Sequence, residues 1–125
     1  AGGPKAATRD MSVVRQTLRA RRDLVETIAH LAERSEDAAR RFRVEARATF
    51  ERLASLPGLG ARYRPNDPAY ADLRYVPVSK FRNHIVFYRP RAGGIEVIRV
   101  LHGAMDLDAL LAEEFGISDD DDPSV

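Results

Sequence analysis

Residues 84–102 read HIVFYRPRAGGIEVIRVLH. Two runs rich in β-branched and aromatic residues flank Pro90 and the Gly93-Gly94 pair, the pattern of two strands joined by a turn. The spacing predicts strands over 84–89 and 95–102, with a third upstream at 73–78 (LRYVPV). The two-residue period of a strand sets Ile85 and Phe87 on one face of the first run and Val86 and Tyr88 on the other. In the last strand the same period sets Ile95, Val97 and Leu101 against Ile98 and Val100. Both faces of this sheet are therefore apolar, whereas a sheet with one solvated face alternates apolar and polar residues.

Something must cover each face. Upstream, Leu24, Ile28, Leu31 and Ala32 recur at helical spacing within 21–34. Ser35 then suits an N-cap, with Glu36 and Asp37 at the positive end of the next helix dipole. That second helix is expected over 36–55, its apolar stripe formed by Ala39, Phe42, Ala46, Phe50 and Leu53. Arg40, Arg43 and Arg47 lie on another of its faces. Pro57, Gly58 and Gly60 end it. Two helices with almost no loop between them make an antiparallel hairpin. A weakly alternating run, SVVRQTL at 12–18, is a short strand, and DLDALLAEEF at 106–115 a short helix stopped by Gly116. The predicted fold is thus α+β: an N-terminal strand, then an α-helical hairpin packed on a mostly antiparallel four-stranded sheet, then a short C-terminal helix. The hairpin covers one sheet face and the short helix only part of the other. The remainder is expected to be an apolar patch that takes a partner, since monomers rarely leave large patches open.

At 125 residues the chain has room for one ordinary domain. The domain is expected over 11–115, with residues 1–10 a tail or the remnant of an upstream extension and 116–125 a disordered acidic tail. The absence of cysteine excludes disulfides, thiolate metal sites and a cysteine nucleophile. No membrane span and no signal-peptide pattern is legible, so the expected compartment is the cytoplasm, without membrane contact. The net charge of +1 conceals an asymmetry: residues 113–125 carry six acids and no base. The rest of the chain is basic and suits an anionic partner, either nucleic acid or an acidic protein surface.

No P-loop, dinucleotide fingerprint, HExxH or GxSxG is present. His30, His84 and His102 show no metal-ligand spacing, so neither a metal site nor a cofactor is expected. His102 ends the last strand just before Gly103, where a titratable group can serve acid–base work or simply bond the turn. Lys80, Arg82, Arg89 and Arg99 gather on the meander, a set able to bind phosphates or to stabilise developing charge without metal.

The order and spacing of several fragments resemble the ParE branch of the RelE/ParE superfamily of type II toxins. These are DLVETIAHLAERSEDAARRF through the hairpin, LPGLG at 56–60, LRYVPV at 73–78, HIVFYR at 84–89 and IEVIRVLHGAMDL at 95–107. The resemblance covers about residues 12–111. It implies a small toxin encoded beside an antitoxin, and for this branch it implies poisoning of DNA gyrase rather than catalysis. A ParD-like antitoxin would wrap an extended and helical segment around the toxin and carry operator-DNA binding for the complex. On this reading the two-faced sheet offers Phe87, Tyr88, Ile98 and Val100 to the antitoxin and Arg89, Arg99 and His102 to the target. The sister RelE branch cuts messenger RNA in the ribosome. Were this chain a ribonuclease of that kind, Lys80, Arg82, Arg89, Arg99 and His102 would supply base, acid and charge stabilisation. The acidic C-terminal stretch, which repels RNA, favours the ParE branch. A third reading is a binding module on the same fold without toxicity.

Overall fold

A computed structural model describes residues 12–116; the tails expected at either end lie outside the described residues, apart from Gly116. The chain begins with β1 (Val13–Gln16), followed by α1 (Leu18–Arg34) and α2 (Glu36–Ser55). Next come β2 (Ala61–Arg62), a 3-10 turn (Pro68–Tyr70), β3 (Arg74–Val78), β4 (Phe81–Arg91), β5 (Gly94–His102) and α3 (Leu107–Glu114). The α+β class, the helical hairpin, the meander and the short last helix are as the sequence implies.

Each helix starts where a side chain accepts an otherwise unpaired amide. Thr17 caps α1 by accepting from the Ala20 N–H, and Ser35 caps α2 by accepting from Ala38. Ser35 also closes α1, its own N–H donating to Leu31 O, so one residue makes the entire connection. The first strand is shorter than expected and α1 begins three residues earlier, because the Thr17 cap outweighs the weak alternation of 12–18. Asp106 caps α3.

Among the described residues the sheet has five strands in the order β1-β5-β4-β3-β2, not four. The extra strand is the two-residue β2, paired antiparallel to β3 inside a segment whose prolines and glycines read as loop. β1 lies parallel to β5, and the three remaining pairings are antiparallel. Pro90 sits within the β4–β5 ladder opposite Ile95, leaving the turn to Ala92 and Gly93, the latter at φ +79°. Gly94 is required for a different reason: a Cβ there would meet the Val13 carbonyl oxygen at 1.9 Å, so only glycine lets β1 lie against β5.

The side-chain alternation of β5 departs from the two-residue period. Tyr88 pairs with Val97 and Phe87 with Arg99, which leaves Ile98 as an extra residue. This β-bulge shifts the parity of everything after it. Ile95, Val97 and Val100 therefore face the helical hairpin with Val86 and Tyr88, while Ile98 and Leu101 face the opposite side with Phe87. The expected grouping of Leu101 with Ile95 and Val97, against Ile98 and Val100, is thus corrected.

Two cores result. On the hairpin side, Phe42, Ala46, Phe50 and Leu53 of α2 pack on Val78, Val86, Tyr88 and Val100. On the other side, Phe87, Ile98 and Leu101 are covered by Leu111 of α3 together with Tyr70 and Leu73. Tyr63, Tyr70 and Phe115 add edge-to-face contacts there. The second face is consequently closed by the chain itself: Phe87 is 1% exposed and Ile98 5%. The expectation of an apolar patch left open on the sheet is corrected. Two of the aromatics that close it, Tyr63 and Tyr70, come from the 57–73 segment, which gives no periodic signal, and Phe115 from the end of α3.

Candidate functional site

Beyond Gln16, β1 ends while β5 continues, and the exposed edge of β5 is satisfied by side chains of the following turn and helix. Thr17 Oγ1 donates to Ile98 O at 2.7 Å. The Val100 N–H, close behind the bulge, donates to Asp23 Oδ2 at 2.9 Å. Arg99 donates to the same carboxylate twice, at 2.7 and 2.9 Å, a bidentate fork. Asp23 and Arg99 are both buried. The hydrogen bonds that Arg99 donates to Asp23 raise its pKa above the ordinary arginine value, with burial opposing them. Arg99 Nη1 lies 3.7 Å from Glu114 of α3, so this arginine ties the hairpin layer to the helix on the opposite face. Arg19 of α1 reaches Glu113 and Glu114 of α3 in the same way.

The other basic residues singled out from the sequence have partners or surroundings of their own. Lys80 occupies the β3–β4 turn at φ +66° and pairs with Glu45 of α2 at 3.4 Å. Arg82 is exposed on β4. Arg89 places its guanidinium 4.6 Å from the ring centroid of Phe115, a cation–π contact beneath α3. Phe87, Tyr88, Ile98 and Val100 are all buried, Phe87 and Ile98 beneath α3, Tyr88 and Val100 beneath the hairpin.

The three histidines, far apart in sequence, come to one place. A cleft of about 420 Å³ is lined by His30 of α1, His84 of β4 and His102 of β5, with Asp23, Glu26, Thr27 and Met105. His84 and His102 face each other across the β4–β5 ladder, ring centroids 5.0 Å apart. His84 also packs edge-on against Phe42 at 5.1 Å. Burial pushes its pKa below the ordinary value, and the charges of His102 and His30 act in the same direction. His102 Nδ1 accepts the Ala104 N–H, so the turn-bonding role weighed from sequence is present. Among the described residues no group of three or more His, Asp and Glu is arranged to hold a metal ion.

Two further features were not singled out from sequence. Tyr88 Oη donates to Pro57 O at 2.7 Å and accepts the Gly60 N–H at 2.8 Å, while Arg74 donates to the Gly58 and Gly60 carbonyls. These bonds fix the LPGLG loop from below. The second is a groove of about 280 Å³ between α1 and α2 over β1, with Val14, Leu24, Ile28, Ala46 and Phe50 on its walls and Arg43 and Arg47 at its rim. The amphipathic stripes of α1 and α2 carry a partial signal for it, but its opening depends on how the helices cross β1.

The layers, the parallel first strand and the buried fork define a small α+β protein. Residues 14–107 match the family described as the ParE toxin of the type II toxin–antitoxin system parDE. The chain belongs to this ParE toxin family. No curated protein matches it. ParE family toxins pair with an antitoxin in type II systems. Among the described residues no helix is long and apolar enough to cross a membrane.

Proposed function

We propose that this toxin acts by binding and stalling DNA gyrase, that a ParD-like antitoxin neutralises it, and that operator DNA is reached only through that antitoxin. The observation that carries the reading is the employment of Arg99. A ribonuclease of the sister branch needs mobile cations around the scissile phosphate, together with an acid and a base. Arg99 is instead 6% exposed and held in a bidentate fork by Asp23. Lys80 is engaged with Glu45, and Arg89 with Phe115. The test is a supercoiling assay with purified gyrase and relaxed plasmid, in which the toxin is expected to inhibit and to trap cleaved DNA. Full supercoiling activity at excess toxin would remove the reading.

A second reading has one observation in its favour. His84 and His102 stand side by side in a cleft, a plausible acid–base pair for cleavage by a 2′-hydroxyl. On that reading ribosome-bound messenger RNA is cut, and His102→Gln loses about 10²–10⁴-fold in rate. On the gyrase reading the RNA stays intact and His102→Gln remains toxic.

A further inference from the structure

The inward side of α1 is spent on the core, against which Leu24, Ile28 and Leu31 pack. Its outward side is not uniformly polar. Val25, at 67%, and Leu18, at 64%, are the two most exposed large apolar side chains among the described residues. Both belong to α1 and stand two turns apart on one face. Ala29 and Ala32 continue the same line, Ala29 exposed and Ala32 half-buried. Residues 18, 25, 29 and 32 thus make a second apolar stripe along a helix of 17 residues, which is about 25 Å long. Its large side chains lie in the N-terminal half and its small ones in the C-terminal half.

The charges beside the stripe are sorted by sign. Arg21 and Arg22 lie in its first half and Glu26 and Glu33 in its second, all four exposed and none of them in an ion pair among the described residues. Arg19 and Asp23 are by contrast engaged, Arg19 by Glu113 and Glu114 and Asp23 by Arg99. The first turn of α1 carries no acid. The positive end of its dipole therefore lacks the carboxylate that stabilises such an end.

We propose that the outward stripe of α1 docks a second copy of this chain, the two helices antiparallel and crossing at Val25. A copy is the fitting partner because the stripe complements itself when reversed. Such a pair sets residues equally far before and after Val25 against each other. Leu18 of each chain falls on Ala32 of the other, and the two Val25 side chains meet on the two-fold axis. Large side chains thus meet small ones at both ends, and the helix axes can approach to about 8 Å. Arg22 comes within one turn of the second copy's Glu26, and two-fold symmetry makes this contact twice. Glu33 lies beside the positive end of the second copy's α1, which has no acid of its own. A parallel pair would instead set Leu18 on Leu18 and Arg22 on Arg22. The inference is independent of gyrase and of the antitoxin.

The experiment is sedimentation equilibrium on the full chain without antitoxin. Concentrations run up to about 1 mM, because a single helix pair falls short of the ~1,200–2,000 Å² that stable interfaces bury. The average mass is expected to rise from 13.9 kDa towards twice that value. Val25→Glu sets two carboxylates together on the axis and should hold the mass at one chain, with the melting temperature of the dilute protein unchanged. Two charge variants give a second readout should Val25→Glu fail to fold. Arg22→Glu alone and Glu26→Arg alone should each weaken association at least tenfold, since each sets like charges across the pair. Their equimolar mixture should restore it, because the reversed charges then meet their opposites in the antiparallel register. A parent mass that stays at one chain over the whole range, association undiminished in folded Val25→Glu, or a mixture that associates no better than its components would each overturn the proposal.

Discussion

The Asp23–Arg99 fork shows how one residue can change its meaning between sequence and structure. Arg99 reads as one more cation on a basic meander, and nothing in the helical pattern of 21–34 marks Asp23. Their pairing depends on a bulge that strands the Val100 N–H and on a neighbouring strand that stops at Gln16. Removing one member of a buried pair leaves an uncompensated charge, at a cost of about 3–5 kcal/mol. Asp23→Ala is expected to lose that much in urea denaturation. The double replacement Asp23→Leu, Arg99→Met should lose less than Asp23→Ala alone, because no charge is left stranded. A second residue-level expectation concerns His84. Its native pKa lies below the value of 6.5 that it has when unfolded. As pH falls through about 6.5 and towards the native pKa, the unfolded chain therefore binds the proton first and stability declines. Denaturation midpoints should drop over this window in the parent, and His84→Gln should flatten that component of the profile.

At the scale of elements, the second helix of the hairpin was legible almost to the residue, since Ser35, the Phe42–Phe50 stripe and Pro57 are all local signals, whereas the first begins three residues earlier than its pattern implied. Phe42 is fully buried and Phe50 5% exposed, while Arg43 and Arg47 face solvent. Phe42→Ala and Phe50→Ala should each cost about 3–5 kcal/mol as large-to-small core changes. Arg43→Ala and Arg47→Ala should stay within about 0.5 kcal/mol. Chemical denaturation separates the two sets, and equal losses would place the wrong face inward. The strand parity of β5 was not legible, because one inserted residue, Ile98, reverses every assignment after it and leaves no compositional trace. The LPGLG loop was recognised as a loop but not as an anchored one. Tyr88→Phe removes the hydroxyl that serves Pro57 and Gly60 and leaves the buried Gly60 amide unpaired. The expected loss is about 1–3 kcal/mol, with faster exchange at the Gly60 amide in the same sample.

For the whole molecule, the sequence conveyed that two apolar sheet faces need two covers but not that the chain supplies both. The aromatic residues that finish the second cover, Tyr63, Tyr70 and Phe115, sit in or beside irregular segments, where no period identifies a buried side. The convergence of His30, His84 and His102 was equally invisible, since it is a product of how β4 pairs with β5 and where α1 crosses them. The same assembly that closes the sheet also holds Arg99 in the fork and Arg89 against Phe115, and that is the basis for reading the toxin as a binder. The most direct measurement pairs two reactions on one preparation of the purified protein: supercoiling of relaxed plasmid by gyrase, and integrity of messenger RNA on translating ribosomes. The account predicts inhibited supercoiling with trapped cleaved DNA beside intact RNA. Cleaved RNA with unimpeded supercoiling would contradict it.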